Sequence, residues 1–337
     1  MNALVIAIET VLPVVLLLAI GRLYARSKGF SAELTRGAGS LVFWVCLPAL
    51  TFREILHADA GRLFDLRLCG VLVACIVICA FVGYRYARAI GAPENKVGVI
   101  AQGSFRSNMM YVGLPVLLSF AESHARAIKI SGAPPDASGY ERVAQLTAIG
   151  AAVSIPLLNA ASIMVFELAG RKRPGKSFSV LKIASGILLN PLIVAVACAV
   201  LAPFIPGAKE LFNSDRVPGR TLDMTAAAAL PLALFTIGAN LSLKRAMAGL
   251  RETLPVAFVK LFLMPALGFA LLYALNVTGA PLAVGIVLLA CPDAATGHAM
   301  ASEFGGDEVL AGELVAITTL LCPFSLVLWL SLVSILG

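Results

Sequence analysis

The stretch Gln102-Gly-Ser-Phe-Arg-Ser-Asn-Met-Met-Tyr-Val-Gly-Leu-Pro115 interrupts a long apolar run with polar residues, two glycines and a proline. A second stretch, Ala290-Cys-Pro-Asp-Ala-Ala-Thr-Gly-His298, again places Pro and Gly beside polar side chains. Gly and Pro weaken helices, and an interrupted helix inside a bilayer is tolerated only where it faces protein or a water-filled cavity. The two stretches therefore predict a pair of broken membrane helices that share one functional site.

The composition of the whole chain requires a membrane. Of its 337 residues, 59% are apolar and only 13% are charged, whereas ordinary soluble domains are about 25% charged. So little charge cannot cover the surface of a soluble protein of this size. The same numbers exclude a disordered chain, a secreted disulfide scaffold and a sizeable water-exposed catalytic domain.

Long apolar runs divided by charge, Gly and Pro predict ten membrane spans, since each span needs about 20 mostly apolar residues. The fold class predicted is therefore an all-α polytopic membrane protein. The ten predicted spans cover residues 3–24, 34–56, 66–87, 96–120, 143–168, 179–204, 223–243, 253–275, 280–302 and 309–336.

The loop charges predict the orientation. If the N-terminus lies outside the cytoplasm, fifteen Lys and Arg residues fall on the cytoplasmic side and nine on the outer side. The positive-inside rule then favours both termini outside the cytoplasm. The densest basic cluster, Arg171-Lys-Arg-Pro174 with Lys176, lies in the predicted central cytoplasmic loop over residues 171–178.

Recurring prolines indicate an internal duplication. The pairs are Pro13 and Pro191, Leu47-Pro48 and Leu230-Pro231, and Pro115 and Pro292, which are 178, 183 and 177 residues apart. Five spans in each half would make residues 1–170 and 179–337 two inverted repeats, because an odd number of spans turns the second half upside down. Inverted repeats of this kind build many secondary transporters.

Arg106 and Asn108 are the first candidate substrate-binding residues. A guanidinium near the middle of a membrane costs at least ~2.5 kcal/mol on insertion scales, so it must face a cavity or a counter-charge. One interpretation is a bidentate clamp for a substrate carboxylate; the alternatives are an internal ion pair, for example with Asp293, or a side chain that snorkels from a helix end. Asn108 lies at the expected break and either contacts substrate or caps exposed backbone.

In the second broken span, Asp293 and Thr296 are candidate substrate contacts. Asp293 is also a candidate for coupling, either as the proton carrier or as a sodium ligand, and the alternative is an N-cap on the half-helix that follows Pro292. His298 is a second candidate for proton coupling, because its unperturbed pKa suits proton traffic.

Four further residues are predicted to have structural or secondary roles: Gly113, Asn190, Lys260 and Gly297. No P-loop, HExxH or GxSxG motif occurs, and no His or Cys spacing suits a metal, so neither an enzyme nor a resident cofactor or metal is expected. All seven cysteines lie in or beside apolar runs, which predicts buried free thiols.

The stretch Asn108-Met-Met-Tyr-Val-Gly-Leu-Pro115 resembles the N-x-x-x-x-G-[hydrophobic]-P signature of the auxin efflux carrier family, which includes bacterial malonate and malate permease-like proteins. Motifs in five other spans resemble the same family in order, over nearly the whole chain. They are Leu41-Val-Phe-Trp-Val-Cys-Leu-Pro-Ala-Leu50, Asn190-Pro-Leu-Ile-Val194, Leu230-Pro-Leu-Ala-Leu-Phe-Thr-Ile-Gly238, Lys260-Leu-Phe-Leu-Met-Pro265, and Pro292 with Ala301-Ser-Glu-Phe-Gly-Gly-Asp307.

The resemblance implies a protein of the bacterial inner (plasma) membrane with a 5+5 inverted repeat related to the sodium/proton antiporter and bile-acid symporter folds. Spans one, two, six and seven would form a scaffold, expected to be dimeric, and spans three to five and eight to ten a moving transport domain. Spans four and nine would cross at the site, with Asn108 contacting substrate and Pro115 and Pro292 flanking the crossing.

The function expected is secondary active transport of a small organic anion by alternating access, with proton or sodium coupling or as a uniporter. Gly297 stands where the plant carriers have a second proline, the long central loop is missing, and Arg106 is an extra charge. These departures favour a small mono- or dicarboxylate such as malonate or malate over an auxin-like aromatic acid. The alternatives are an aromatic acid efflux carrier or uniporter, and a membrane sensor that binds ligand without transporting it.

Overall fold

The computed structural model describes residues 3–27, 31–56, 65–130, 137–169, 191–294 and 296–336, and these ranges contain helices and loops but no strand. The helices of the first half are α1 (Ala3–Tyr24), α2 (Ala32–Leu41), α3 (Leu47–Leu56), α4 (Leu66–Ala89), α5 (Glu94–Gly103), α6 (Leu114–Ile130) and α7 (Ala137–Leu168). Those of the second half are α8 (Pro191–Leu201), α9 (Ala208–Leu211), α10 (Val217–Asn240), α11 (Leu243–Ala248), α12 (Leu250–Phe258), α13 (Met264–Ala274), α14 (Ala280–Ala290), α15 (Thr296–Phe304) and α16 (Glu308–Leu336).

These helices confirm an all-α polytopic membrane protein. Seven helical stretches in the described ranges are long and apolar enough to cross a bilayer, and they coincide with predicted spans one, two, three, five, seven, eight and ten. Shorter apolar helices, Met109–Ser123, Pro191–Phe204 and Ala280–Ala290, lie in predicted spans four, six and nine. Spans four and nine are short because each is interrupted, whereas residues 179–190 of span six lie outside the described residues.

Span seven begins earlier than predicted, at Val217 instead of residue 223, whereas Arg142–Leu168 matches the predicted span five to within one residue. The extra residues 217–222 include Pro, Gly, Arg and Thr and form no apolar run, although Pro218 in the first turn of α10 suits a helix start. The predicted central loop 171–178 and Asn190 lie outside the described residues, and the two-repeat division stays a prediction.

Three prolines are each preceded by a wide π-helical turn. The turns Val42–Cys46, Met109–Gly113 and Val259–Leu263 end one residue before Leu47-Pro48, Leu114-Pro115 and Met264-Pro265. Proline has no N–H and its ring collides with the carbonyl four residues earlier, so a wider turn relieves the collision and bends the helix. Two of these turns adjoin the site described below.

Spans one and seven pack backbone against backbone. A Cβ on Gly21 would collide with the carbonyl oxygen of Phe235, and a Cβ on Gly238 would collide with the carbonyl oxygen of Leu18. Only glycine permits so close an approach between two helices in a membrane. Spans two and six also pack on each other, and span two packs on span seven, in keeping with the predicted scaffold, which nevertheless stays a prediction.

The cysteines are free thiols, as predicted, and six of the seven are buried. Cys198 is exposed, so the expected burial is wrong at this position. Helix α8 is apolar on all sides, so its sequence does not indicate which face of the helix packs inward.

Candidate functional site

The two broken spans meet at their interruptions. Helix α5 ends at Gly103, and the helical path resumes at Met109; α14 ends at Ala290, and α15 begins at Thr296. Cys291 is in an extended conformation, with φ −59° and ψ 147°, because the residue before a proline disfavours helical backbone. The sequence thus predicted both breaks and their positions.

Backbone groups that the breaks leave without helical hydrogen bonds bond to each other and to span ten. The Asn108 N–H donates to the Pro292 carbonyl oxygen at 2.9 Å, which joins the two broken spans directly. The Asp293 N–H donates to the Thr318 hydroxyl at 3.0 Å. Unpaired backbone would be costly in lipid, so these bonds explain how the membrane tolerates two interruptions at one level.

Two of the predicted glycines provide close approach at the crossing. A Cβ on Gly113 would lie 2.9 Å from the Cys291 Sγ and 3.0 Å from the Leu288 side chain. A Cβ on Gly297 would lie 3.3 Å from Asp293 Oδ1 and 3.4 Å from Arg106 Cδ. Larger residues would separate the two broken spans or displace the polar groups between them.

Pro115 and Pro292 are both buried, and Pro292 contributes its carbonyl to the bond with Asn108.

Arg106 is buried, with 5% of its surface exposed, and is held by neutral acceptors on two other spans. Its Nη1 donates to the Ser162 hydroxyl at 2.9 Å, and its Nη2 donates to Asn159 Oδ1 at 3.0 Å. Nε and Nη2 both donate to the Thr296 hydroxyl, at 3.2 and 2.9 Å. The guanidinium therefore links span four to spans five and nine at the level of the break.

No carboxylate within 4.0 Å of Arg106 occurs among the described residues, so the predicted alternative of an ion pair with Asp293 is not formed in this structure. One oxygen of Asp293, Oδ1, accepts the Ala294 N–H at 2.8 Å. Its Oδ2 accepts no hydrogen bond from the described part of the chain. The position directly before Thr296, where α15 begins, lies outside the described residues, so the capping role of Asp293 stays a prediction.

Further polar residues lie close to Arg106 in the two broken spans. The Ser107 Oγ is buried and has no hydrogen-bond partner among the described residues. The Asn108 side chain is partly exposed, caps no helix, and makes no hydrogen bond within the described ranges. His298 is likewise partly exposed, and Thr296 is exposed. The crossing thus combines a buried cation with accessible hydrogen-bonding groups, which is the chemistry of an anion site.

Lys260 is fully buried in the π-helical turn of span eight, and its Nζ donates to the Leu289 carbonyl. That carbonyl belongs to the last turn of α14, whose end carries partial negative charge. The ammonium therefore stabilises one of the half-helix ends at the crossing, and the structural or secondary role of Lys260 stays a prediction. Asn190, the remaining residue of that group, lies outside the described residues.

Two residues of the site were not predicted to belong to it: Asn159 and Ser162. Asn159 joins two helices, because its Oδ1 accepts a hydrogen bond from Arg106 at 3.0 Å. What the sequence could not show is that these positions, three residues apart on one face of span five, are turned toward the break in span four. The i, i+3 spacing of two polar residues in an apolar helix was the available signal.

Comparison with known proteins gives a consistent result over the whole chain. A family model described as "Membrane transport protein" matches residues 6–157 and 162–330. An uncharacterized transporter of Methanothermobacter thermautotrophicus is 22% identical over 330 residues, which cover 95% of this chain and 96% of that protein. Both matches include the two broken spans.

Proposed function

This chain belongs to the membrane transport protein family, the auxin efflux carrier-like family that its motifs resemble, and we propose that it carries a small organic anion. The observation that supports the proposal is Arg106, a buried guanidinium whose hydrogen-bond acceptors among the described residues are all uncharged. A buried guanidinium that no carboxylate contacts is costly. A bound carboxylate would pair with it directly, through two parallel hydrogen bonds.

In this proposal the substrate is a mono- or dicarboxylate of the size of malonate or malate, bound between Arg106 and the free side-chain amide of Asn108. Asp293 and Thr296 complete the site from span nine. The transport domain of spans three to five and eight to ten moves against the scaffold and exposes the site to each side in turn, with both chain termini outside the cytoplasm. Broken helices that meet at one level are the usual setting of such sites.

Uptake of labelled malonate, malate and acetate into proteoliposomes tests the proposal. We expect saturable uptake of at least one of these acids, and competition by the unlabelled acid. Uptake of none of them, by a protein that is monodisperse and correctly inserted, would contradict a carrier for small carboxylates. Indole-3-acetate, an aromatic acid, is added as a competitor. The alternative function, an aromatic acid carrier, predicts that it inhibits uptake.

We propose Asp293 as the coupling group, because it is a buried carboxylate with one oxygen unused by the described residues, next to the proposed substrate site. Asp293→Asn removes the titratable group and keeps the oxygen that accepts the Ala294 N–H. We expect uptake by this variant to lose its response to an imposed proton gradient, measured as initial rate against external pH.

The matched control is Asp223→Asn, since Asp223 lies in α10 and pairs with Arg53 at 2.9 Å, away from the crossing. This control is expected to keep the wild-type pH profile. A wild-type profile in Asp293→Asn would remove Asp293 from coupling. A response to sodium that disappears in Asp293→Asn would assign the carboxylate to a sodium site instead.

A further inference from the structure

Two N–H groups on one edge of the Arg106 guanidinium converge on a single hydroxyl. Nε and Nη2 donate to Thr296 Oγ1 at 3.2 and 2.9 Å. This is the edge with which arginine binds both oxygens of a carboxylate. Thr296 is exposed at the start of α15, so its hydroxyl can turn away and leave that edge to a ligand.

The opposite side of the guanidinium is fixed. Nη1 donates to Ser162 Oγ at 2.9 Å, and Ser162 is completely buried. The Ser162 hydroxyl in turn donates to the Leu158 carbonyl at 2.6 Å, one turn earlier in α7. Arg106 is therefore held on its Nη1 side, while its Nε and Nη2 edge is the exchangeable one.

Asn159 lies directly beside this exchangeable edge, in one defined orientation. Its Oδ1 accepts the second N–H of Nη2 at 3.0 Å. Because a guanidinium carries donors only, the amide oxygen must face it and the amide nitrogen must point away. The side chain is partly exposed, and its Nδ2 has no hydrogen-bond partner in the described ranges.

The amide nitrogen is thus an unused donor next to the carboxylate position. Within a carboxamide, oxygen and nitrogen are only about 2.3 Å apart, so Nδ2 lies close to any ligand oxygen bound at Nη2. A ligand with a second acceptor oxygen on the carbon beside its carboxylate can reach both groups at once. A plain monocarboxylate would leave Nδ2 unpaired.

We propose that Asn159 is a specificity-determining residue, whose amide nitrogen selects carboxylates that carry a second acceptor oxygen close to the carboxylate. 2-Oxo acids and short dicarboxylates belong to this class. The inference rests on the proposed function, since it requires Arg106 to bind the substrate carboxylate. It adds a physical reason why short monocarboxylates without a second acceptor oxygen should bind more weakly.

Pyruvate and propionate test this selection, because they have the same charge and nearly the same size and differ in one acceptor oxygen. Their dissociation constants are measured with the purified full-length protein by isothermal titration calorimetry. We expect wild type to bind pyruvate up to about tenfold more tightly than propionate, the upper end of the net effect of one hydrogen bond. In Asn159→Ala the ratio falls to within about twofold, while the constant for propionate changes by less than about threefold.

The matched control is Asn240→Ala, whose amide donates to the Thr236 carbonyl of its own helix at 3.0 Å; it is expected to keep the wild-type ratio. Equal weakening of both acids in Asn159→Ala would overturn the inference, because Asn159 would then only position Arg106. Absence of discrimination in wild type, or absence of pyruvate binding, would overturn it as well.

Arg106→Gln separates this inference from the proposed function. If Arg106→Gln binds both acids as well as wild type does, the carboxylate does not bind at Arg106 and the proposed function fails first. Should Asn159→Ala not fold, Asn159→Leu keeps the approximate size of the side chain and removes the donor without adding a charge. In that variant the ratio should fall to within about twofold, and an unchanged preference for pyruvate would contradict the inference.

Discussion

Arg106→Gln is expected to lower the initial rate of carboxylate uptake by at least about a hundredfold, because two charge-assisted hydrogen bonds of about 1.5–3 kcal/mol each are lost. Glutamine retains a polar end but cannot form the two parallel bonds of a guanidinium or supply its positive charge. The measurement is uptake of the best substrate into proteoliposomes at equal amounts of inserted protein.

Two variants separate loss of binding from loss of structure. Arg106→Lys keeps the charge without the paired donors, so it should recover part of the uptake, with a raised KM for the carboxylate. Arg85→Gln removes an exposed arginine of α4 and should leave uptake unchanged. Wild-type uptake in a well-folded Arg106→Gln would show that the guanidinium only joins spans four, five and nine.

Gly238→Ala is expected to give the largest loss of stability, about 2 kcal/mol or more, because its Cβ would occupy the position of the Leu18 carbonyl oxygen. Backbone cannot rotate away as a side chain can, so spans one and seven must separate. The measurement is the midpoint of thermal unfolding of the purified protein in detergent, followed by intrinsic fluorescence. Gly21→Ala should have a similar effect, since Gly21 meets the Phe235 carbonyl in the same contact.

Gly70→Ala is the matched control, because it adds the same methyl group in helix α4 where no atom lies within 4 Å. Alanine is a better helix former than glycine, so this variant should be as stable as wild type or slightly more stable. A Gly238→Ala protein with the wild-type melting midpoint would contradict the close packing of spans one and seven.

The sequence was sufficient to predict much of the fold because membrane spans are specified by length and apolarity. The interruptions were also predictable, since Pro292, Gly103 and Gly113 act on their own backbone. A π-helical turn precedes each of Pro48, Pro115 and Pro265. The presence of a proline predicts a bend but not this type of turn. Helix ends made of polar residues, such as the first turn of α10, give no apolar signal.

The site was predictable only in part, because the sequence does not fix how helices rotate about their axes. Arg106 was identified by its cost in a membrane, which is a property of one residue. Its partners depend on which face of span five is turned toward span four, and this brings Asn159 and Ser162, more than fifty residues away, into contact. Asp293 was the obvious partner by charge, yet no ion pair between these two groups is found among the described residues.

A carrier and a ligand-binding membrane sensor would both bind carboxylates at Arg106, so binding does not distinguish them. Counterflow does, because only a carrier that exposes its site to each side in turn can exchange bound substrate across a membrane. Proteoliposomes loaded with unlabelled substrate are diluted into a trace of labelled substrate, and internal label is followed over time. We predict a transient accumulation of label above equilibrium, absent in Arg106→Gln. Saturable binding without any such accumulation would contradict transport by alternating access.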